Sequence, residues 1–137
     1  MLFPKKTKYN KQFKNIKYGK TTRGSQIIFG THAVKTLQET RLTSKQLEAG
    51  RRAIVRQMKR LGYLWIRVFP QTPVTTKPNE VRMGKGKGAV DRWVAQVKKG
   101  QIIYEISGIS TNQAFKVLES GAKKLPIKTK IISKMGL

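Results

Sequence analysis

The sequence predicts an α+β domain, an antiparallel or mixed sheet with two packed helices, and three observations carry that expectation. Residues 44–61 repeat their apolar positions at the helical period between two recognisable helix ends. Residues 64–69, 90–97 and 101–106 instead alternate apolar and polar side chains, as strands with one buried face do. The elements follow the order strand, helix, strand, loop, hairpin, helix, strand, which is not the regular alternation of a parallel α/β sheet. At 137 residues the chain suits one domain with a modest core.

Residues 1–24 read as a basic arm ahead of a single domain at 25–137. Lys5, Lys8, Lys11, Lys14, Lys17, Lys20 and Arg23 recur at every third position, Lys6 is added, and no acid occurs there. A period of three fits neither an amphipathic helix nor a strand. In an extended chain it throws positive charge in several directions, which suits a tail threaded between phosphates. The alternatives are a solvated tail or an organelle presequence. Presequences carry an amphipathic stripe, and Tyr9, Phe13, Ile16 and Tyr18 make a poor one.

Residues 25–29 predict a short strand ended by Gly30. In the helix at 44–61, Thr43 is the expected N-cap, Gln46 completes a capping box, and Gly62 sits where a terminating glycine belongs. Leu47, Gly50, Ile54, Met58 and Leu61 share one face, with Lys45, Arg52, Arg56, Lys59 and Arg60 opposite. Glu48 can pair with Arg52 one turn on, and Arg51 borders the apolar face as a candidate structural arginine. The strand at 64–69 ends at Pro70. Residues 70–88 predict a long loop. The segments 90–97 and 101–106 predict a hairpin turning at Lys98-Lys99-Gly100, with Trp93, Ala95 and Val97 on one face and Ile102, Tyr104 and Ile106 on the other strand's. A second helix over 112–124 stops before Pro126, and 127–132 closes the domain as a strand.

Thirty Lys and Arg against six Asp and Glu give a net charge of +24. Self-repulsion of that size calls for a polyanionic partner. A membrane partner is not expected, because no apolar run approaches the ~20 residues of a spanning helix and the cations are spread over the whole chain. The absence of cysteine excludes disulfides, thiolate metal sites and cysteine nucleophiles. His32, the only histidine, reads as a loop or core residue. The acids Glu39, Glu48, Glu80, Asp91, Glu105 and Glu119 are scattered, and pairing with cations is their expected role. No catalytic residue, metal or cofactor is predicted, and the chain does not read as an enzyme. Most of the aromatics read as core.

The densest chemistry is Arg82-Met83-Gly84-Lys85-Gly86-Lys87-Gly88. Glycines let a backbone approach phosphate closely and expose its amides. Interleaved lysines add mobile charges, and Arg82 offers a planar fork. The spacing matches neither a Walker loop nor a dinucleotide fingerprint. It reads as a flexible finger aimed at RNA.

These residues also carry a resemblance. Met1-Leu2-Phe3-Pro4-Lys5-Lys6-Thr7-Lys8, Leu42-Thr43 with Gln46-Leu47-Glu48-Ala49-Gly50-Arg51-Arg52-Ala53, Trp65-Ile66-Arg67-Val68-Phe69-Pro70, Lys77-Pro78 with 81–88, and Leu125-Pro126-Ile127-Lys128-Thr129 resemble, in order, the L-sixteen family of large-subunit ribosomal proteins, itself related to the archaeal and eukaryotic L-ten-e family. Gln71 departs from the Asp common after the Val-Phe-Pro block. The resemblance implies an α/β-hammerhead-like fold and a seat on large-subunit ribosomal RNA near the peptidyl-transferase centre and the aminoacyl-tRNA site. It implies that residues 82–88 face that centre and tRNA, and that Arg51 and Arg52 touch ribosomal RNA. Lys5, Lys6, Lys8, Lys11, Lys14, Arg56, Lys59 and Arg60 join them as expected RNA contacts on charge and placement. The expected partners are ribosomal RNA, tRNA and neighbouring large-subunit proteins, with no self-association. A chain rich in Lys, Ile and Asn with no added presequence suggests an organelle-encoded, mitochondrial member, with a bacterial cytoplasm or plastid as the other settings. The alternative function is a free-standing basic RNA-binding or RNA-chaperone protein.

RNA binding by the isolated chain should weaken steeply with salt. A titration across salt concentrations should give a log–log slope of about −0.7 to −0.9 per phosphate neutralised; a flat line would sink the electrostatic account.

Overall fold

A computed structural model describes residues 1–14 and 19–134. Ile16, Lys17 and Tyr18 of the arm, and the end of the basic tail, lie outside the described residues. The elements are β1 (His32–Thr36), β2 (Thr40–Thr43), α1 (Ser44–Met58), β3 (Tyr63–Ile66), β4 (Thr72–Thr76), β5 (Ala89–Val97), β6 (Ile102–Ser107), α2 (Thr111–Ala122) and β7 (Thr129–Ser133). They form two antiparallel sheets, one ordered β3-β6-β1-β7 and the other β2-β5-β4. The expected α+β class holds.

The expected hairpin is corrected. β5 and β6 are joined by a tight turn at Gly100 (φ 87°), yet they belong to different sheets. β6 pairs with β1, from His32 opposite Ile106 to Lys35 opposite Ile102, and β5 pairs with β2, from Thr40 opposite Val97 to Thr43 opposite Val94. Two long antiparallel segments therefore pass together from one sheet to the other, each bending at the same place. Thr36 staples the bend. Its hydroxyl donates to the Lys98 carbonyl at 2.8 Å and accepts the Gln101 amide at 3.1 Å, and its carbonyl accepts the Gly100 amide at 2.8 Å.

The strand expected at 25–29 is absent. The Ile28, Phe29 and Gly30 amides find the carboxylate of Glu105 instead of a neighbouring strand, at 3.3, 2.7 and 2.8 Å. β1 and β2, which follow, were not foreseen. The expected loop 70–88 begins with β4, and only residues 77–88 lie between β4 and β5. Pro73 is tolerated there because β4 is an edge strand.

The capping box of α1 forms as expected, with Gln46 N to Thr43 Oγ1 at 3.3 Å and Thr43 N to Gln46 Oε1 at 2.9 Å. The helix ends at Met58, three residues early, and Leu61 is exposed rather than packed. Lys59 and Arg60 turn left-handed, which carries the chain to Gly62. Gly62 is needed for close approach: a β-carbon there would stand 2.2 Å from the Ser107 carbonyl, and one on Gly108 would stand 2.8 Å from the Gly62 backbone.

The core lies between the helices and the sheets, with Leu47 and Ile54 of α1, Val117 and Leu118 of α2, and Val34, Val97, Tyr104 and Ile106 among its members. Burial raises the Tyr104 phenol above its ordinary pKa, and its hydroxyl donates to the Leu47 carbonyl at 2.8 Å. The helices meet where both carry glycine. A β-carbon on Gly121 would stand 2.4 Å from Ile54 Cγ1 and 3.3 Å from the Gly50 carbonyl.

Gly121→Ala should therefore lower stability by about 1–3 kcal/mol through overpacking, although alanine is the better helix former by about 1 kcal/mol. Ile54→Ala, which removes both crowding atoms, Cγ1 at 2.4 Å and Cδ1 at 2.6 Å, should cost less in the Gly121→Ala background than in the parent, as thermal denaturation of the double-mutant cycle reads. Equal costs in the two backgrounds would place the strain elsewhere.

Candidate nucleic-acid interface

The structure brings two of the predicted cationic segments together. Lys5, Lys6, Lys8, Lys11 and Lys14 are exposed, as are Arg82, Met83, Gly84, Lys85, Gly86 and Lys87, with Gly88 half-buried. Lys11 Nζ donates to the Lys87 carbonyl at 3.0 Å, and Lys87 Nζ donates in return to the Gln12 carbonyl. Lys87 Nζ also sits 6.0 Å from the Phe13 ring centre. Segments 76 residues apart thus form one surface, beside the outer side of the β2-β5-β4 sheet.

The tip owes its shape to backbone angles. Gly84, Lys85 and Gly86 all have positive φ, at 96°, 54° and 92°. Glycine adopts that region freely and lysine does not. Lys77 Nζ reaches the Gly84 carbonyl across the loop. At the base Gly88 has no room for a side chain, because a β-carbon would stand 2.6 Å from the Thr76 carbonyl.

The helix cations form a second set. Arg52, Arg56, Lys59 and Arg60 are exposed on or just beyond α1, and among the described residues no hydrogen bond or ion pair joins them to the arm or loop. Arg51 grips Glu48 through two bonds, Nε at 2.9 Å and NH2 at 2.6 Å, while Arg52 Nε adds a third at 3.1 Å. The Arg51 bond, with Arg52 beside it, holds the Glu48 carboxyl down at about 2. Arg51 is thus fixed by a carboxylate, as its position on the helix suggested, and Arg52 keeps its outer nitrogens free of these bonds.

Among the described residues Glu48, Asp91, Glu105 and Glu119 meet cations as expected, whereas Glu39 accepts the Gly19 amide at 3.1 Å. Glu119 meets Lys123 at 3.0 Å, Asp91 stands 3.8 Å from Arg92, and Glu105 binds Arg67. Glu105 is fully buried. Burial pushes its carboxyl up, but the three amides of residues 28–30 and the Arg67 guanidinium outweigh that and hold it below the ordinary value. Among the described residues no cluster of three His, Asp or Glu could hold a metal, and no helix is long and apolar enough to cross a membrane. His32 is a core histidine. It is 3% exposed, its Nδ1 lies 2.9 Å from Thr31 Oγ1, and burial pushes its pKa down.

Two features escaped the sequence reading. Arg41, half-buried on β2, has one guanidinium nitrogen buried without a partner among the described residues, and it lines a cleft of about 30 Å³ with residues 12–14, 72–75, Lys87 and Gln96. The sequence offered no signal for it, because β2 itself was not foreseen. The second is a correction: the aromatics are mostly not core. Among the described aromatics only Tyr104 is fully buried, whereas Phe3, Tyr9, Phe13, Phe29, Tyr63, Phe69 and Phe115 are exposed. Tyr63 and Trp65 alternate on β3 in the pattern of one strand face, which left open whether that face is covered.

Comparison with known proteins points to one family. A model of the family described as ribosomal protein L16p/L10e matches residues 4–132. The large ribosomal subunit protein uL16 of Caulobacter vibrioides is 52% identical over 135 residues, covering 98% of this chain and 94% of its own. Proteins of the same name from Chelativorans sp. and Hyphomonas neptunium are each 53% identical over 135 residues, covering 98% of both chains.

Glu105→Gln should cost about 3 kcal/mol, since it strands the Arg67 guanidinium in a buried setting. Because the folded carboxyl titrates below its unfolded value, its contribution is complete above the unfolded pKa and is lost as pH falls through the lowered one. Urea denaturation should show the parent's advantage over the variant largest at neutral pH and shrinking in acid. An advantage independent of pH would contradict the assignment.

Proposed function

The chain belongs to the ribosomal protein L16p/L10e family, and on that premise we propose that it binds large-subunit ribosomal RNA beside the peptidyl-transferase centre and the aminoacyl-tRNA site, ordering the RNA there and helping to seat tRNA. It is a structural ribosomal protein of the large subunit and not an enzyme. The relatives are bacterial and lend no support to the mitochondrial setting expected from composition.

The observation that carries the finer reading is the joined arm and loop. Lys11 and Lys87 hold the segments together through carbonyl bonds, so the cations of 5–14 and of 82–88 form one continuous positive surface without an acid in either segment. Such a surface suits contact with closely spaced phosphates. On this reading Lys85, Lys87 and Arg82 reach toward tRNA and the RNA of the centre. Lys5, Lys6, Lys8, Lys11 and Lys14 run along ribosomal RNA, and Arg52, Arg56, Lys59 and Arg60, with Arg51 behind them, meet a separate stretch of it. Neighbouring large-subunit proteins complete the surroundings. The work is positioning, with no chemical step assigned to any residue.

Sedimentation distinguishes this from a free-standing basic RNA binder. The tagged chain should travel with large subunits through a sucrose gradient and stay with them at raised salt; recovery at the top would favour the free binder. Lys85→Ala should leave folding and subunit incorporation intact, because its side chain is exposed and, among the described residues, ties the loop to no other segment, yet slow tRNA accommodation. Unchanged accommodation with normal incorporation would make the loop a passive contact.

A further inference from the structure

We propose that Tyr63, Trp65 and Phe29 form a stacking platform for unpaired nucleobases of the RNA that the chain binds, a site separate from the arm, the loop and the α1 cations. The proposal rests on the RNA-binding reading above.

The platform begins with strand periodicity. Tyr63, Trp65 and Arg67 are alternate residues at β3 and just beyond it, so they point to one side, while Leu64 and Ile66 pack against the core. The rings lie in a row. Tyr63 and Trp65 have centroids 6.0 Å apart at 34°, and Trp65 and Phe29 have centroids 6.1 Å apart at 23°. The row remains open to solvent: Tyr63 is 70% exposed, Phe29 58% and the adjoining Ile28 61%.

The rings are held in advance of any ligand. The amide of Phe29 is pinned by buried Glu105 at 2.7 Å. The Arg67 guanidinium, tied to the same carboxylate, lies 5.2 Å from the Phe29 ring centre. Gly30 fixes the approach, since a β-carbon there would collide with the Ile106 carbonyl at 2.6 Å. A platform ordered before binding loses little freedom on binding.

Charge selects the occupant. No acid occurs in residues 23–31 or 59–69, and exposed Lys59, Arg60 and Arg23 flank the two segments that supply the rings. The one acid beneath the rings, Glu105, is fully buried and paired. A row of solvent-accessible rings in a positive setting, with Trp65 half-buried between Tyr63 and Phe29, suits nucleobases, whose phosphates satisfy the cations while the bases stack. A basic neighbouring protein would meet repulsion at the same surface.

The test uses the full chain and a short oligouridylate, which has no secondary structure of its own, with binding followed by anisotropy of the labelled RNA. Tyr63→Ala and Phe29→Ala should each weaken binding about five- to hundred-fold, the range of one lost base stack, with the salt slope unchanged. Tyr63→Phe, which keeps the ring, should bind as the parent does. In a Trp93→Phe background, Trp65 emission should be quenched on binding. Alanine variants that bind like the parent, with a normal salt slope, would overturn the platform and leave the RNA reading standing. Loss of affinity together with a changed slope would make the effect electrostatic and overturn it too. Variants that keep RNA but release a neighbouring protein from reconstituted large subunits would show a protein contact instead. A chain that binds no RNA would overturn both readings.

Discussion

Glu105 is the group around which one side of the molecule is organised. A carboxylate without solvent exposure would normally be neutral or absent. Here three successive amides and a guanidinium surround it, so its charge is retained and the segment before β1 is drawn onto the sheet. That segment has no strand partner for the Ile28, Phe29 and Gly30 amides, and the carboxylate takes the place of one. The strip, the position of Arg67 and the spacing of the Phe29 and Trp65 rings all follow from this one buried side chain. In a chain with six acids and thirty cations, placing one acid inside is also a way of keeping the surface uniformly positive.

The cations have the opposite distribution. They sit on the arm, the loop and the outer face of α1, where a free chain would suffer from their mutual repulsion. The few ion pairs do not neutralise this surface. Glu48 serves to fix two adjacent arginines at the middle of α1, so that the helix presents them in a defined direction. Lys11 and Lys87 spend their donors on backbone carbonyls, not on acids, and so join the arm to the loop without loss of charge. Structure and charge are thereby separated: carbonyls and one buried carboxylate do the holding, and the exposed charge stays available to RNA.

What could be read from the sequence was what is local. The capping box at Thr43 and Gln46 depends on residues three apart, and it formed as written. The apolar stripe of α1 and the turn at Gly100 were equally local. Pairing was not legible, because β6 is adjacent to β5 in sequence but bonded to β1 and β3. β1 and β2 are too short for their periodicity to stand out. Gly62 was read as a helix end when its role is close approach to Ser107 and Gly108, forty-odd residues on. In the interface, the type and place of the cations were legible from charge alone. The joining of arm to loop, the bound state of Arg51 and the openness of the aromatic row depend on tertiary neighbours, and alternation by itself does not say whether a face is covered.

The paired bend between the two sheets has a kinetic consequence. In the β3-β6-β1-β7 sheet β3 pairs only with β6 and β1 pairs with β6 and β7, and in the other sheet β2 and β4 meet only through β5. During synthesis the first half of the chain therefore emerges with helix α1 able to form but with no ladder to join. Its long-range closures wait for residues 89–107, and such non-local pairings are the slow part of folding. For that interval the nascent chain is a highly cationic polymer with unpaired strands, a form that polyanions in its surroundings would seize. Completion of β5 and β6 lets the ladders begin, and the domain closes when α2 fills the core and β7 takes its place beside β1.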